Sequence, residues 1–439
     1  MNILQTTKII KTYFSGIMYL FKCCRTKKKF RQFLQGRTIY FTVQPAKAGF
    51  TDQLIRFTAI YKLGKFFGFR YYHVPFRPKP IIIDPEQDFI SSENGANSDI
   101  YDFIGMNAWF NPMNQDLMVD ASETITISLN KAEFEKHKVY SFNRFICFFK
   151  MTLFQEFGKS LNTTFLINFK ITGEIPVFRW INDNISNEIL DFDFRQIYLK
   201  YHEPSPRRSK FEKDKIKMLL HIRQGDTAVI KTPWNSFIQV WSRKPNSFTE
   251  FRQIQQIDDV SIVTVEDFYS FYKNVSQFLG AKRLTTLLFS DGFARSFFKL
   301  LAKTGKLNLS EQQIEQLHKQ ALIYNHEAFK VFEYLAELSM FVGEESEKLF
   351  DLVHSFLLSD IVIFGTQQRM IPKLYSLYFR NADGPLCIIL YRQRLVSYDY
   401  LSIPQAAKNF VFVNLDNYEI SKVCDRITGF LRMRKKYMV

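Results

Sequence analysis

The hexapeptide HIRQGD, residues 221–226, combines side chains that can bind a phosphate group. The guanidinium of Arg223 is permanently charged, and its fixed fork of N–H donors matches phosphate oxygens two at a time. The stretch before it, Lys215 to Ile222, is rich in apolar residues, which predicts a strand covered on both faces. Because open α/β sheets bind ligands beyond the carboxyl ends of their strands, Arg223 is predicted to face a ligand there.

Two later stretches also place small or polar residues directly after a predicted strand. The strand predicted over residues 285–289 ends in SDG, residues 290–292. The strand predicted over residues 360–364 ends in GTQQ, residues 365–368, and leads into a helix. Backbone amides at the start of that helix, together with a threonine hydroxyl, would bind an anion.

Near the N-terminus, the stretch GFTDQL, residues 49–54, opens a further predicted helix. This helix is expected over residues 53–67, with Asp52 as its N-cap. Strands are predicted on both sides of it, so residues 38–74 form one βαβ unit of the kind that builds a parallel sheet.

HIRQGD resembles the HxRxGD signature of the GDP-fucose-dependent fucosyltransferases, which include bacterial α-1,2 and α-1,6 enzymes, nodulation fucosyltransferases and protein O-fucosyltransferases. The other three stretches resemble further conserved blocks of this family, in the same order. GFTDQL is similar to its GxGNQL block, with Thr51 in place of the second Gly and Asp52 in place of Asn. GTQQ is similar to its S-x-F-S block, although Gln367 and Gln368 replace part of the hydroxyl run.

The resemblance implies an α/β fold of the GT-B type, in which two Rossmann-like domains face each other with the site in the interdomain cleft. It implies inverting transfer of fucose from GDP-fucose to a hydroxyl of a glycan, lipid-linked or protein acceptor. It also implies that the reaction needs no divalent metal and no cofactor, since GDP-fucose is the donor substrate.

The matched motifs also imply roles for single residues. Arg223 would neutralise the charge that builds up on the departing β-phosphate, and Asp52 is the candidate general base for the acceptor hydroxyl. Gly49 and Gln53 would belong to the N-terminal loop at the cleft. The residues of the GDP-sugar site would be His221, Arg223, Gly225, Asp226, Ser290, Asp291, Gly292, Thr366, Gln367 and Gln368.

Each motif also has a purely structural interpretation. His221 could be a buried core residue, Asp226 a brace for the turn, and Asp52 only a helix N-cap. Residues 290–292 also fit a type I turn between a strand and a helix. For function, the alternatives are a non-catalytic protein of this fold that binds a nucleotide-sugar or anionic glycan, a transferase that uses another GDP-sugar, and a basic protein that binds membranes or nucleic acid.

The length and composition predict two globular domains. The chain has 439 residues, of which 46% are hydrophobic and 23% are charged, enough for two full cores. Residues 202–215 concentrate proline, serine and charge, which is typical of an interdomain linker. We therefore expect a basic N-terminal segment at 1–36, a Rossmann-like acceptor domain at 37–201, and a Rossmann-like GDP-sugar-binding domain at 216–439.

The net charge of +16 favours anionic partners. No nucleic-acid-binding signature is present, so nucleic acid is not an expected partner. The five cysteines lack disulfide or metal spacing, which favours a reducing, cytoplasmic compartment. The apolar run at 12–21 is shorter than the roughly 20 residues that a membrane-spanning helix needs. With the basic residues that follow, it predicts an amphipathic helix that either lies on an anionic membrane or packs on the protein.

The remaining segments carry no assigned function. Residues 191–193, DFD, have the DxD form of a metal-bridging motif from a different glycosyltransferase fold, but we interpret them as a solvated turn, and no metal ligand is predicted. Residues 232–259 are predicted to form a long loop. Strands are expected at 81–83, 124–129 and 164–169, and a helix at 142–157.

Overall fold

The structure is a computed structural model with two compact units. The first unit contains the described residues of 1–76 and 106–192, and the second unit contains those of 77–105 and 193–439. Each unit has its own parallel sheet, which confirms the α/β class. The facing of two domains across a cleft stays a prediction. The residues that the structure describes are 28–44, 50–73, 104–110, 124–129, 131–157, 160–161, 163–171, 177–204, 208–223, 228–234, 236–242, 249–254, 263–293, 309–342, 346–365, 370–379, 384–392 and 409–435.

The first unit is built on a four-stranded parallel sheet of order β2-β1-β4-β3. Helices cover this sheet, and the predicted βαβ unit is present as β1, α2 and β2. The strands are β1 (Thr38–Gln44), β2 (Arg70–Tyr71), β3 (Thr124–Leu129) and β4 (Thr164–Ile171). The helices are α1 (28–34), α2 (Phe50–Phe66), α3 (Met106–Phe110), α4 (Lys131–Lys136), α5 (Phe142–Phe157) and α6 (Val177–Asn184).

Two predictions for this unit need correction. Helix α2 begins at Phe50, so Asp52 lies inside its first turn and is not the N-cap. Negative charge is favoured throughout the first turn of a helix, because the amides and the helix dipole give that end a partial positive charge. An acidic residue therefore does not show which position is the N-cap. Strand β2 covers only Arg70–Tyr71, and the buried His73 that follows hydrogen-bonds with Tyr71 and Asn107.

Aromatic side chains fill the core of the first unit. The α5 residues Phe145, Phe149, Leu153 and Phe157 recur every four positions and are all buried, which is why the predicted helix 142–157 is confirmed. On α2, Tyr61 packs against Phe192 with ring centroids 4.9 Å apart and planes at 87°. This edge-to-face geometry brings the positive edge of one ring to the negative face of the other.

The second unit is built on a six-stranded parallel sheet of order β10-β9-β5-β11-β12-β13. Its strands are β5 (Ile216–Ile222), β9 (Leu284–Ser290), β10 (Leu338–Val342), β11 (Ile361–Gly365), β12 (Leu386–Tyr391) and β13 (Phe410–Asn414). Its helices are α7 (Phe194–His202), α8 (Val265–Leu279), α9 (Glu311–Phe329), α10 (Ser346–Leu358), α11 (Met370–Tyr378) and α12 (Ile420–Lys435). Counted along the chain, the strand order is 3-2-1-4-5-6, the order of the Rossmann fold.

Helices cover both faces of β5, the central strand. On one face, Met218, Leu220 and Ile222 pack into a core that includes Phe268 from α8 and Ile427 from α12. Helix α10 packs on β5 and β9 from the other side. Because side chains alternate along a strand, helices on both faces favour apolar residues in both sets, which explains an apolar run that only Lys217 and His221 interrupt.

The segment after β5 differs from its prediction as a long loop. It contains a three-stranded antiparallel sheet of order β6-β7-β8, formed by Ala228–Lys231, Phe237–Ser242 and Thr249–Ile254. Neither β7 (FIQVWS) nor β8 (TEFRQI) alternates regularly between apolar and polar residues, so periodicity gives no clear signal for these strands. The Tyr324 hydroxyl of α9 accepts a hydrogen bond from the Lys231 amide and ties this sheet to the second unit.

The boundary between the units falls before the predicted linker. Helix α7 groups with the second unit, which starts at Asp193. The carboxylate of Asp193 caps this helix by accepting hydrogen bonds from the amides of Arg195 and Gln196. Phe194 and Ile197 are buried, so α7 packs through its apolar face. The polar stretch at 202–215 does not mark where the second unit begins.

Gly64 allows α2 to lie close against β1. A Cβ atom added at this position would overlap the ring of Phe41, which is fully buried. We expect Gly64→Ala to lower the free energy of unfolding by about 1–3 kcal/mol, because a packed core does not yield to an added methyl group. Chemical denaturation followed by circular dichroism measures this change.

Gly429→Ala is the matched control. Gly429 also lies within a helix, α12, but a Cβ atom there would meet no other atom within 4 Å. This substitution should stabilise by up to about 1 kcal/mol, since alanine has less conformational freedom to lose than glycine. Equal effects of the two substitutions would contradict the close packing of α2 on β1.

Candidate functional site

Three carboxyl ends of strands lie side by side in the second unit. Strand β5 pairs with β9 on one side, with Ile222 opposite Ser290, and with β11 on the other side, with His221 opposite Phe364. The strand order reverses direction between β5 and β11, and ligands of open α/β sheets bind at this switch point. The motifs HIRQGD, SDG and GTQQ therefore begin at the carboxyl ends of neighbouring strands in one sheet.

Arg223 and Asp291 form an ion pair at this edge. Arg223 Nε lies 3.9 Å from Asp291 Oδ2, which is too long for a hydrogen bond, and each side chain is about one third exposed. A pair at this distance and exposure contributes little to stability, about 0–1 kcal/mol. The ion pair can nevertheless keep the Arg223 guanidinium near the carboxyl ends of the strands, where a phosphate would bind.

The turn after β9 is shaped by Ser290 and Gly292. The Ser290 hydroxyl is buried and accepts a hydrogen bond of 3.0 Å from the Gly292 amide. Gly292 has φ of +70°, a left-handed conformation that glycine adopts without the clash of a Cβ atom. These two residues build the turn that carries Asp291, which agrees with the structural interpretation of the SDG stretch.

His221 is almost completely buried on the face of β5 opposite Met218 and Leu220. Its neighbours in register are Phe289 on β9 and Phe364 on β11, and side chains of paired residues in a sheet share one face. Burial, together with the positive charge of Arg223, lowers the pKa of His221 to about 3. At neutral pH the imidazole is therefore uncharged, and it can act by hydrogen bonding but not as a proton-donating cation.

The remaining predicted site residues are only partly described. Gln53 lies in the first turn of α2 in the other unit, as does Asp52, of which the structure describes only the backbone. Gly49, Gly225, Asp226, Thr366, Gln367 and Gln368 lie outside the described residues, as does the strand predicted at 81–83.

A second arginine, Arg392, lies at the carboxyl end of a strand in the same sheet, and it was not predicted. Arg392 follows β12 and donates hydrogen bonds to both carboxylate oxygens of Asp267, at 3.1 and 2.6 Å, and to Asp416 at 2.9 Å. Asp267 also forms a capping box with Thr264 at the start of α8. This cluster joins α8 to the ends of β12 and β13. No sequence motif reveals it, because Arg392 lies 125 positions from Asp267 and 24 positions from Asp416.

The two carboxylates of the DFD stretch accept hydrogen bonds from groups on α2 and α7. Asp191 accepts hydrogen bonds from Tyr61 at 2.5 Å and from Lys65 at 2.6 Å. Burial would raise the pKa of Asp191, but these hydrogen bonds and the Lys65 charge outweigh it and hold the pKa below its usual value. Asp193 caps α7, so each carboxylate has a structural role, and the pair does not form a solvated turn.

The described residues contain neither a metal-binding cluster nor a membrane-spanning helix. No group of three or more His, Cys, Asp or Glu side chains there is arranged to hold a metal ion. Within the same residues, every helix is too short or too polar to cross a membrane.

Comparisons with known proteins found similarity only at the level of structure. No protein-family model matches the chain, and no curated protein matches it either. The solved structures that resemble it include POFUT1 in complex with GDP, with a TM-score of 0.34 and 8% identity over 81% of this chain and 99% of that one. They also include α,α-trehalose 6-phosphate synthase from Burkholderia multivorans, with a TM-score of 0.27 and 9% identity over 90% and 89%. Because these scores are low, the proposal that follows depends on the residues of this chain.

The low pKa of His221 predicts how stability depends on pH. An unfolded chain binds the proton with a pKa near 6.5, so the folded protein loses stability as pH falls from about 6.5 toward 3. Between about pH 7 and pH 4.5 this loss amounts to about 2–3 kcal/mol. A His221→Asn variant, which cannot titrate, should lose that much less than the wild type over the same interval.

Chemical unfolding at several pH values measures the two slopes. A difference in overall stability between the variants does not matter, because only the change with pH is compared. Parallel curves would show that His221 is protonated as readily in the folded protein as in the unfolded chain.

Proposed function

We propose that this protein is a glycosyltransferase that uses a nucleotide diphosphate sugar, with GDP-fucose as its donor. The observation that carries the proposal is the position of Arg223 at the carboxyl end of β5, at the switch point of a sheet of Rossmann order. The HxRxGD resemblance supports GDP-fucose as the donor. The acceptor in this proposal is a hydroxyl of a glycan, lipid-linked or protein substrate.

The chemistry requires positive charge at the leaving group. When the bond between sugar and phosphate breaks, negative charge builds up on the β-phosphate while the sugar becomes oxocarbenium-like. A guanidinium that is oriented before the reaction stabilises this charge without reorganisation in the transition state. In the proposal Arg223 supplies that charge, so the enzyme works without a divalent metal.

Asp291 and His221 would assist Arg223 in different ways. The Asp291 carboxylate, 3.9 Å from Arg223, holds the guanidinium when no phosphate is bound. A bound diphosphate would compete with Asp291 for the positive charge of Arg223. His221 is uncharged, so it leaves the positive charge of the site to Arg223 and fixes the end of β5 through its buried position.

An inverting transfer also needs a base for the acceptor hydroxyl. The low pKa of His221 makes this imidazole a weak base, and its burial keeps it from a substrate. Asp52, in the first turn of α2, stays our candidate for the base. A protein that binds the donor and lacks such a base would be non-catalytic, and turnover of GDP-fucose separates the two cases.

Calorimetric titration with GDP and GDP-fucose in the presence of EDTA tests the donor site. Arg223→Ala should weaken GDP binding by about 100-fold or more, because two charge-assisted hydrogen bonds to phosphate are lost. Turnover of GDP-fucose should fall by at least about 10²–10³-fold. Arg223→Lys should restore only part of the affinity, since an ammonium cannot bind two oxygens as a fork.

Arg283→Ala is the matched control, because Arg283 is an exposed arginine just before the amino end of β9. It changes the net charge by the same amount and should leave GDP binding unchanged. Folded wild-type protein that binds no guanine nucleotide would sink the proposal. GDP binding without turnover would support the non-catalytic alternative.

We also propose that the enzyme is cytoplasmic and contacts anionic membranes through its basic N-terminal part. In α1, Phe30 and Phe33 are buried in the first unit, whereas Lys28, Lys29 and Arg31 are exposed. Phe33 stacks on Phe157 with ring centroids 6.4 Å apart. Because the apolar face of α1 is used for packing, this part of the contact would be electrostatic, without insertion of the helix.

Sedimentation with vesicles that contain phosphatidylserine tests this contact. Each basic residue near an anionic surface contributes about 1 kcal/mol, so Lys28→Gln with Arg31→Gln should lower partition by about 30-fold at low salt. The pair Lys282→Gln with Arg283→Gln, from an exposed turn of the second unit, is the control. Equal loss in both pairs would point to net charge alone, and no binding by the wild type would refute the contact.

A further inference from the structure

The first unit contains a groove beside β3, which is an edge strand of the sheet formed by the described strands. The groove encloses about 350 Å³, and small-molecule sites occupy roughly 300–1,000 Å³. Strand β3 and helix α5 line it, and Glu133 and His137 extend into its lining from α4 and the turn that follows. None of these residues belongs to the site described above.

The lining combines hydrogen-bonding groups with an apolar surface. Thr126 and Gln155 bring a hydroxyl and an amide, Glu133 brings a carboxylate, and Phe148 and Met151 are partly exposed apolar side chains. These polar groups include both donors and acceptors, whereas the ring face and the thioether offer an apolar contact. The groove therefore suits a ligand with both hydroxyl groups and a C–H surface.

The charges in the groove disfavour an anion. Among the described residues that line it there is no lysine or arginine, and Glu133 is acidic. The Glu133 carboxylate lies 3.4 Å from His137 Nε2 and 3.7 Å from Lys136 Nζ, so its charge is partly balanced within α4 and the following turn. A phosphate or a carboxylate would be repelled here, in contrast to the edge of the second sheet where Arg223 lies.

The walls of the groove are held by buried packing. The ring of Phe148 packs edge-on against buried Phe134, with centroids 6.0 Å apart, and lies 5.0 Å from the His137 ring. The Thr152 hydroxyl donates to the Phe148 carbonyl, so its oxygen still offers lone pairs to a ligand. A site whose walls are fixed before binding loses little entropy when it binds a ligand.

We propose that this groove binds a neutral saccharide. A pyranose ring offers a C–H face to Phe148 and Met151, and each of its hydroxyls both donates and accepts hydrogen bonds, as Gln155 and His137 require. We also propose that this saccharide is part of the acceptor, and that part of the inference rests on the proposed function. Saccharide binding itself stands on the groove alone.

Methyl NMR of full-length protein with ¹³C-labelled methionine tests the proposal. The probes are lactose, cellobiose, maltose and N,N′-diacetylchitobiose, titrated into the millimolar range. The Met151 methyl resonance, assigned by Met151→Leu, should shift with at least one probe. Met106 is fully buried in the same unit and away from the groove lining, so its resonance should stay in place.

Variants of the groove residues test whether the Met151 shift reports a saccharide bound in the groove. Glu133→Gln combined with Gln155→Ala should weaken saccharide binding about tenfold or more, because two hydrogen-bonding groups are altered or lost. Glu135→Gln is the matched control, because Glu135 is exposed on the same helix but does not line the groove. The Glu135→Gln variant should bind the saccharide with the affinity of the wild type.

Three outcomes would overturn the proposal: no Met151 shift with any probe, an affinity that the groove variant leaves unchanged, or a shift with an extended peptide but with no saccharide. The last would show that β3 accepts another strand at its edge. GDP titration of the same samples keeps the two proposals separate. Saccharide binding without GDP binding would contradict only the transferase, and GDP binding without saccharide binding would contradict only the groove.

Discussion

The second unit depends on the pairing of β5 with β9 on one side and β11 on the other. Strand β5 is in register with β9 over its full length, and with β11 from Met218 to His221. This arrangement makes three strands end at one edge and brings together stretches that are far apart in the chain. It also places helices on both faces of β5, which favours apolar side chains up to the last strand residue, Ile222, with Lys217 and His221 as the exceptions.

The same pairing sets the electrostatics of the site. His221 is enclosed between Phe289 and Phe364 in the register of the sheet, and burial removes its charge. Two residues later the chain leaves the sheet, and Arg223 regains contact with water. An uncharged imidazole and a charged guanidinium therefore follow each other within three positions because one lies in the sheet and the other beyond it. The charge state of the His221 side chain is therefore set by its burial in the sheet as well as by its residue type.

Much of the fold could be predicted from the sequence, because periodicity reports burial directly. The predicted helix at 142–157 has the observed bounds because it has one clearly apolar face, and the predicted strand at 124–129 has them because its residues alternate strictly. The three strands after β5 were missed because they are short and show no regular alternation of apolar and polar residues. The N-cap was misplaced because Asp52 fits both the cap and the first turn by residue type.

The candidate site could be predicted only in part. A strand followed by Arg or Asp indicates which edge of a sheet a residue occupies, so Arg223 and Asp291 were found. Register and long-range pairing are not visible in a single sequence. For that reason neither the aromatic neighbours of His221 nor the clamp of Arg392 on Asp267 and Asp416 was foreseen. The groove beside β3 was missed for the same reason, since its lining comes from one strand and two helices.

The position of β5 also has a consequence for folding. Strands β5, β9 and β10 are made first, and β5 is the edge of that half-sheet until β11 has been synthesised. An unpaired, apolar strand edge is a template for pairing with other chains, so one side of β5 is open to such pairing while more than one hundred residues are synthesised. Among the neighbouring strands of this sheet, β5 and β11 lie furthest apart in the chain, and contacts of such long range slow folding.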